Sequence, residues 1–408
     1  MVEATRSRID PVGVDGQSCP HVATTTPEFV NNYYEVMAQA RAESPVCWDD
    51  TYQRWFVLGS ETLASVARDW ESFTSADGVA GPESPLRLLP IESDPPLHTQ
   101  WREILNPLFS VKAIEPMQAG IRALALGLLD RLPSEGSAEL VRAFTTPFPG
   151  MVFFQQILGE GEEELARCTH LVEIALDAEH PETQADGYRG LFQYAHTLIT
   201  SARENPETRN RGTVIDAVAF AQIDGEPAPL QDAVSVLTML ILGGLETTTN
   251  TLSNVFHYLA EHPDSRRQLQ GDRSLLHTAV EEFLRLYSPA TYLLRRATRD
   301  TEIEGTRIRQ GQWVALGFSG AARDPKAYTQ PDEFLLDREH HRHVTFGIGL
   351  HRCLGSNLAR LMMRQALEAF LDVFDEVSPV DGFAPEYRVT GVRSLVRLDV
   401  NYAKKKRA

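Results

Sequence analysis

One cysteine of this chain stands where it can hold a metal. The run Phe346-Gly347-Ile348-Gly349-Leu350-His351-Arg352-Cys353-Leu354-Gly355 puts Cys353 after a glycine-rich turn and before an apolar helix that reaches Phe374. A thiolate there can ligate a metal while backbone N–H groups of the turn hydrogen-bond the sulfur. The start of the following helix adds partial positive charge that favours the anion. Gly349 permits the tight turn, and Gly355 withholds a side chain where a flat group must approach. A phosphate-binding use fits less well. Gly347-Ile348-Gly349 opens like a dinucleotide fingerprint, but Arg352 stands where the third glycine belongs. Taken alone, an isolated cysteine is more often a small buried hydrophobe, so the assignment rests on its companions.

Those companions are three. Leu242-Gly243-Gly244-Leu245-Glu246-Thr247-Thr248-Thr249 lies inside an apolar stretch, 230–259, with helical periodicity. Each glycine costs about 1 kcal/mol there relative to alanine, and local rules broken in mid-helix mark functional sites. Missing side chains leave room for a small molecule, Thr247 offers an alcohol, and Glu246 can pass protons through water. Close helix packing is the competing use of the glycines. His98 and Arg102 stand at i, i+4, and Glu282 and Arg285 at i, i+3, so each pair shares a helix face. Singly, either pair is an ordinary surface feature.

The elements that must position these groups read mostly as helix. Apolar residues recur at three- and four-residue spacing in 29–42, 117–132, 140–158, 187–202, 230–259, 275–287 and 358–374, with Pro147 and Pro149 breaking the third. Strand-like runs are shorter: 54–58, 293–298, 313–316 and 395–400. The stretches 75–96 and 324–344 read as irregular. With 408 residues and 42% hydrophobic composition, the chain can bury a large core. Its net charge of −17 argues against nucleic-acid binding, which needs a basic face. Four cysteines without C-x-x-C or zinc spacing suit a reducing cytoplasm. No run approaches about 18 apolar residues, so no membrane span is expected. Residues 1–26 read as a flexible polar segment and 404–408 as a solvated basic tail.

The cysteine run matches Phe-x-x-Gly-x-(Arg/His)-x-Cys-x-Gly at every fixed position. The glycine helix fits (Ala/Gly)-Gly-x-(Asp/Glu)-Thr, and Glu282-Phe283-Leu284-Arg285 fits Glu-x-x-Arg. On these motifs the chain resembles the cytochrome P450 family, from about Phe29 to Val400. The resemblance implies a mainly α single domain with a small β lobe over 27–403, and haem b as cofactor. Cys353 would be the axial ligand, and His98, Arg102, Arg295 and His351 the propionate anchors. Phe109, Leu242, Gly243, Thr345, Phe346, Gly347, Leu354, Gly355 and Ala359 would contact the macrocycle. Glu246 and Thr247 would form the proton relay. Glu282 and Arg285 would lock the approach to the cysteine loop; their usual third partner is an arginine, and Arg338 takes that place here because Glu333 stands at the usual position. Arg296, next along the strand from Arg295, should point to the opposite face.

The resemblance also implies a soluble, cytoplasmic monooxygenase that inserts oxygen into a small hydrophobic molecule. Its pocket wall would come from Leu86, Leu88, Leu89, Ile91, Leu171, Ile174, Met239, Leu242, Thr291, Tyr292, Leu293, Leu294 and Val389. Arg87 and Arg388 keep an acidic substrate open. No flavin, nicotinamide or iron–sulfur motif is visible, so a ferredoxin or flavodoxin-type donor must supply electrons to the monomer. Arg342, Arg352, Arg360 and Arg364 form a basic patch that could steer it. Three alternatives stand beside this reading. A peroxide-dependent haem-thiolate enzyme is disfavoured because such relatives lack the acid–alcohol pair. A non-catalytic haem or ligand-binding protein needs no proton relay, and a plain helical binding protein would make every motif a coincidence.

Overall fold

The structure is a computed structural model describing residues 19–79, 87–176, 180–205, 207, 212–340 and 342–406. Leu86, most of the segment 1–26 and the end of the basic tail lie outside the described residues. The expected α-rich architecture with a small β lobe is present. A six-stranded sheet joins β1 (His21–Val22), β2 (Val46–Asp49), β3 (Arg54–Val57), β4 (Phe73–Thr74), β5 (Leu293–Ala297) and β6 (Trp313–Leu316) in the order β1-β2-β3-β6-β5-β4. β6 runs parallel to β3 and antiparallel to β5. A separate hairpin pairs β7 (Tyr387–Val389) with β8 (Arg393–Leu395).

Four helices carry the site: α1 (Leu97–Leu105), α2 (Leu230–Glu261), α3 (Leu276–Leu286) and α4 (Ser356–Val373). α2 is long and apolar enough to cross a membrane, but it runs through the core. Its Val236, Leu237, Leu252, Val255 and Phe256 are fully buried, and Phe256 stacks on Phe370 of α4 with centroids 4.4 Å apart. An aromatic stack of this kind adds about 0.5–1.5 kcal/mol beyond burial and fixes the two helices against each other. The stretch 140–158 is broken as its prolines require: two wide-turn segments, Val141–Thr145 and Phe153–Leu158, flank Pro147–Val152. Pro147 sits at the first helical position, where its missing N–H costs little.

Three expectations need correction. Residues 19–26 are not merely a polar lead-in, because His21–Val22 forms a parallel ladder with β2. The run 395–400 is not one strand. Leu395 and Leu398 are both buried while Val396 and Arg397 face solvent, a three-residue spacing that breaks strand alternation. The chain leaves β8 there and re-enters a different sheet at Asp399–Lys404. The basic tail is also used: Lys404 Nζ donates to Leu132 O at 2.6 Å and Lys405 Nζ to Leu371 O at 2.9 Å. These lysines satisfy carbonyls at two helix ends, which have no partner within their helix.

Candidate active site

The cysteine loop is a tight, hydrogen-bonded turn. Gly347 and Gly349 adopt φ of 70° and 74°, which side-chain-bearing residues avoid. A Cβ on Gly349 would also stand 3.0 Å from Ala67 O. Cys353 N–H donates to Phe346 O at 2.7 Å, closing the loop just before α4. Burial pushes the Cys353 thiol up, while the Gly355 N–H and the guanidinium groups of Arg102, Arg352 and Arg360 favour its thiolate. The approach to the loop is clamped by Glu282, which is fully buried on α3. Arg285 binds it through Nε at 2.9 Å and Nη2 at 2.8 Å, and Arg338 through Nε at 3.0 Å and Nη2 at 2.8 Å. Both arginines also donate to Glu333 O at 3.0 Å. The residue at the usual arginine position thus contributes its backbone carbonyl, and Arg338 supplies the charge.

Cys353 opens onto a cavity whose wall includes Phe109, Gly243, Thr247, Arg295, Thr345 and Ala359. His98, Arg102, His351, Phe346, Gly347, Leu354 and Gly355 line it as well. The polar groups cluster at one edge. His98 and His351 rings lie 4.3 Å apart, and Ser75 Oγ is 2.9 Å from His351 Nε2. Arg102 Nη1 donates to Arg352 O at 2.8 Å. Arg295 is 3% exposed, whereas its neighbour Arg296 faces solvent, as strand alternation requires. Burial lowers Arg295 to about 10, and burial beside Arg102 lowers His98 to about 4.

These residues fit a haem. Neither ring nitrogen of His98 has a hydrogen-bond partner among the described residues, although both are buried. Arg295 makes no ion pair there and donates only to Leu294 O. Buried donors without acceptors are costly, and haem propionates are acceptors of the right charge. A Cβ on Gly355 would meet no protein atom within 4 Å, which leaves that face of the loop clear for a flat ring.

The glycines of α2 divide their roles. Gly243 faces the cavity, and a Cβ there would touch only Met239 Cε, at 3.4 Å. Gly244 serves close packing too, since its Cβ would stand 2.7 Å from the Phe153 ring. Thr247 lines the cavity and donates to Gly243 O at 3.3 Å. Glu246 does not line it. Burial pushes that carboxyl up to about 7, opposed by Arg388.

Much of the expected substrate wall lies elsewhere. Leu88 and Leu89 turn into the core, where the Glu92 carboxylate accepts Leu88 N–H at 2.7 Å and Ser235 Oγ accepts Leu89 N–H at 2.8 Å. Leu242 is off the stripe 240-243-244-247-248-251 that α2 shows the cavity. Leu294 faces away from Arg295's side of β5, whereas Leu293, also expected in the wall, lines the cavity. Strand parity, applied to Arg296, would have given this too. Leu171 and Ile174, on helix Glu162–Ala175, do not reach the wall. Thr291, Tyr292 and Val389 line a different cavity, as does Arg388. Met239 and Ile91 are in place, joined by the unanticipated Phe153, Leu240 and Val392. The basic patch is smaller than expected: Arg360 pairs with Glu281 at 2.6 Å and Arg364 with Glu368 at 3.0 Å. Arg342 and Arg352 remain exposed, as does Lys112 on a turn packed against α4.

A cysteine, a cluster of histidine and arginine side chains and the Thr247 hydroxyl of α2 thus share one cavity. The sequence matches the Cytochrome P450 family model over residues 27–392, and the chain belongs to that family. It is 30% identical to linalool 8-monooxygenase of Pseudomonas putida, over 82% of this chain and 87% of that protein. It is 31% identical to vitamin D(3) 25-hydroxylase of Pseudonocardia autotrophica, over 74% of each. The solved structure of CYP109Q5 from Chondromyces apiculatus superposes with a TM-score of 0.85 at 25% identity, covering 95% of this chain and all of that one. The protein is therefore a haem-dependent monooxygenase that uses dioxygen to oxidise a small organic molecule, with electrons from a separate redox partner.

Proposed function

We propose that Cys353 ligates haem b through its thiolate and that His98, Arg102, Arg295 and His351 hold the propionates. The observation that carries this reading is the buried, acceptor-less edge of the cavity, Arg295 with both ring nitrogens of His98. When bound, the haem supplies the electron-transfer and dioxygen chemistry, which thiolate ligation favours. Thr247 presents its hydroxyl to the cavity, held only by the long bond to Gly243 O. Glu246, outside the wall, keeps a proton near neutral pH and passes it inward through water.

The substrate is a neutral hydrophobic molecule. Besides the hydroxyls of Thr247, Thr248 and Thr251, the walls away from the charged edge are mainly apolar, including Ile91, Phe153, Met239, Leu240, Leu293 and Val392. A ferredoxin or flavodoxin-type donor docks where Arg352, Arg342 and Lys112 remain exposed around the cysteine loop. The catalytic domain spans 27–403 as a monomer, and the unpaired cysteines suit the cytoplasm. The test is the absorption of the dithionite-reduced protein with carbon monoxide. A Soret band at the red-shifted thiolate position that disappears in Cys353→Ala supports the ligand assignment. A histidine-type band overturns it.

A further inference from the structure

Beside the haem cavity lies a second one, of about 520 Å³. It is bounded by residues of the helical turn Pro27–Asn31, the β2–β3 hairpin and β7. A shared wall separates the two. Thr291, Tyr292, Val389 and Thr390 face the second cavity, whereas Ala290, Leu293, Gly391 and Val392 line the first. Thr291 N–H donates to Gly391 O at 3.0 Å, its hydroxyl donates to Thr390 O, and Ala290 bridges to Val392. Backbone and hydroxyl hydrogen bonds and one isolated bridge thus tie residues 290–291 to 390–392 in that wall.

Arg54 sits in the lining and is only 3% exposed. Its Nε donates to Asp49 Oδ2 at 2.9 Å, and Asp49, fully buried, also accepts from Thr24 Oγ1 at 3.0 Å. That bond uses Nε alone of the edge that Nε shares with Nη2. Nη2 is buried and has no partner among the described residues. A buried donor without an acceptor is unfavourable, and a charged one more so. The guanidinium lies 3.9 Å from the Tyr292 ring centroid and 4.6 Å from that of Tyr52. Tyr52, 52% exposed, forms the outer cover of this guanidinium. The lining holds two guanidinium groups, Arg54 and Arg388, against one carboxylate, Glu386. Aromatic rings make up much of the rest, including Phe29, Tyr33, Phe56 and Tyr387.

We propose that this cavity is a second binding site, separate from the haem site, for a small aromatic carboxylate. The carboxylate accepts from Arg54 Nη2, and the ring packs between Phe29, Tyr52 and Tyr292. Charge-assisted bonds to guanidinium are about twice as strong as neutral ones, so an acid is preferred over the matching alcohol. A ligand there braces the wall whose reverse face bounds the substrate.

The test uses haem-loaded protein saturated with 4-phenylimidazole, which fills the haem side and reports its own ligation by absorption. 2-Naphthoate and 2-naphthylmethanol are then titrated by calorimetry. One-to-one binding of the acid, about tenfold tighter than the alcohol, is expected from one added charge-assisted bond. In Arg54→Lys, which keeps a cation beside Asp49 but loses Nη2, that preference should vanish while phenylimidazole ligation is unchanged. Equal affinity for acid and alcohol, or a preference that survives Arg54→Lys, overturns the proposal. Displacement of naphthoate by phenylimidazole also overturns it, by making the two spaces one site. Failure of phenylimidazole to ligate would instead count against the haem assignment, so the two failures are distinguishable.

Discussion

Two glutamates in the helical core show how differently one side chain can be used. Glu282 is clamped: burial pushes its carboxyl up, but Arg285 and Arg338 more than reverse this and bring it down to about 2. Glu246 is left to burial, opposed only by the charge of Arg388, and rises to about 7. Glu282 must stay ionised to hold the polypeptide leading into the cysteine loop. In the proposed relay Glu246 gains and loses a proton near neutral pH, which a clamp would forbid. A fixed charge is architecture, and a movable proton is chemistry.

The largest effect should come from breaking the clamp. Glu282→Gln strands two buried arginines, and losing one member of such a cluster costs about 3–5 kcal/mol. Urea unfolding should show that loss together with poor haem retention; a variant as stable as the parent would mean that Glu282 is not a structural charge. Acid should act on the same cluster in the native protein. The folded carboxyl lies below its ordinary value of 4.5, so its stabilisation is fully present above that value and is lost as pH falls toward 2. Glu281 follows the same course, brought to about 2 by His343 and Arg360 against the effect of burial.

Changing the other glutamate should spare the fold and harm the reaction. Glu246→Gln keeps the shape but cannot give up a proton, so product formation should fall by about 100-fold or more with haem spectra intact. Thr247→Ala should divert consumed oxygen to hydrogen peroxide, and full coupling in that variant would exclude the hydroxyl from proton delivery. A finer change sharpens the contrast. Arg388 holds the Glu246 carboxyl down, so Arg388→Gln should raise it above about 7. The pH dependence of coupled turnover should then move to higher pH, and an unmoved profile would disconnect Arg388 from Glu246.

The clamped side was far more legible in the sequence than the substrate side. Cys353, Gly347, Gly349 and the Glu282–Arg285 spacing are fixed by backbone and charge constraints that few residue types satisfy, and they stand in the expected places. Arg338 could be chosen because the family resemblance implies a third arginine partner and Glu333 stands at its usual position. The substrate wall needs only apolar residues, which also serve any core, so Leu88, Leu89 and Leu294 were misread as lining. Strand parity from Arg295 would have kept Leu293 and dropped Leu294. Nothing in the pattern near Arg54 signals an unused donor, because Asp49 meets it only when β2 and β3 pair.

The smallest expected effect lies on the outer face of the cysteine loop, where the same contrast between paired and unpaired charge recurs. Arg364 is occupied by Glu368 four residues on along α4, whereas Arg352 is exposed beside Cys353. An acidic electron donor gains attraction from a charge that is not already answered. Arg352→Gln should therefore weaken donor binding about two- to fivefold, the scale of one exposed ion pair, and Arg364→Gln hardly at all. Raising the salt concentration should shrink the Arg352 effect, because rim charges act over distances that ions screen. The reduced carbon monoxide band must stay in place in both variants, which separates docking from a disturbed thiolate. Equal losses in the two, or a loss insensitive to salt, would move the docking surface away from this loop.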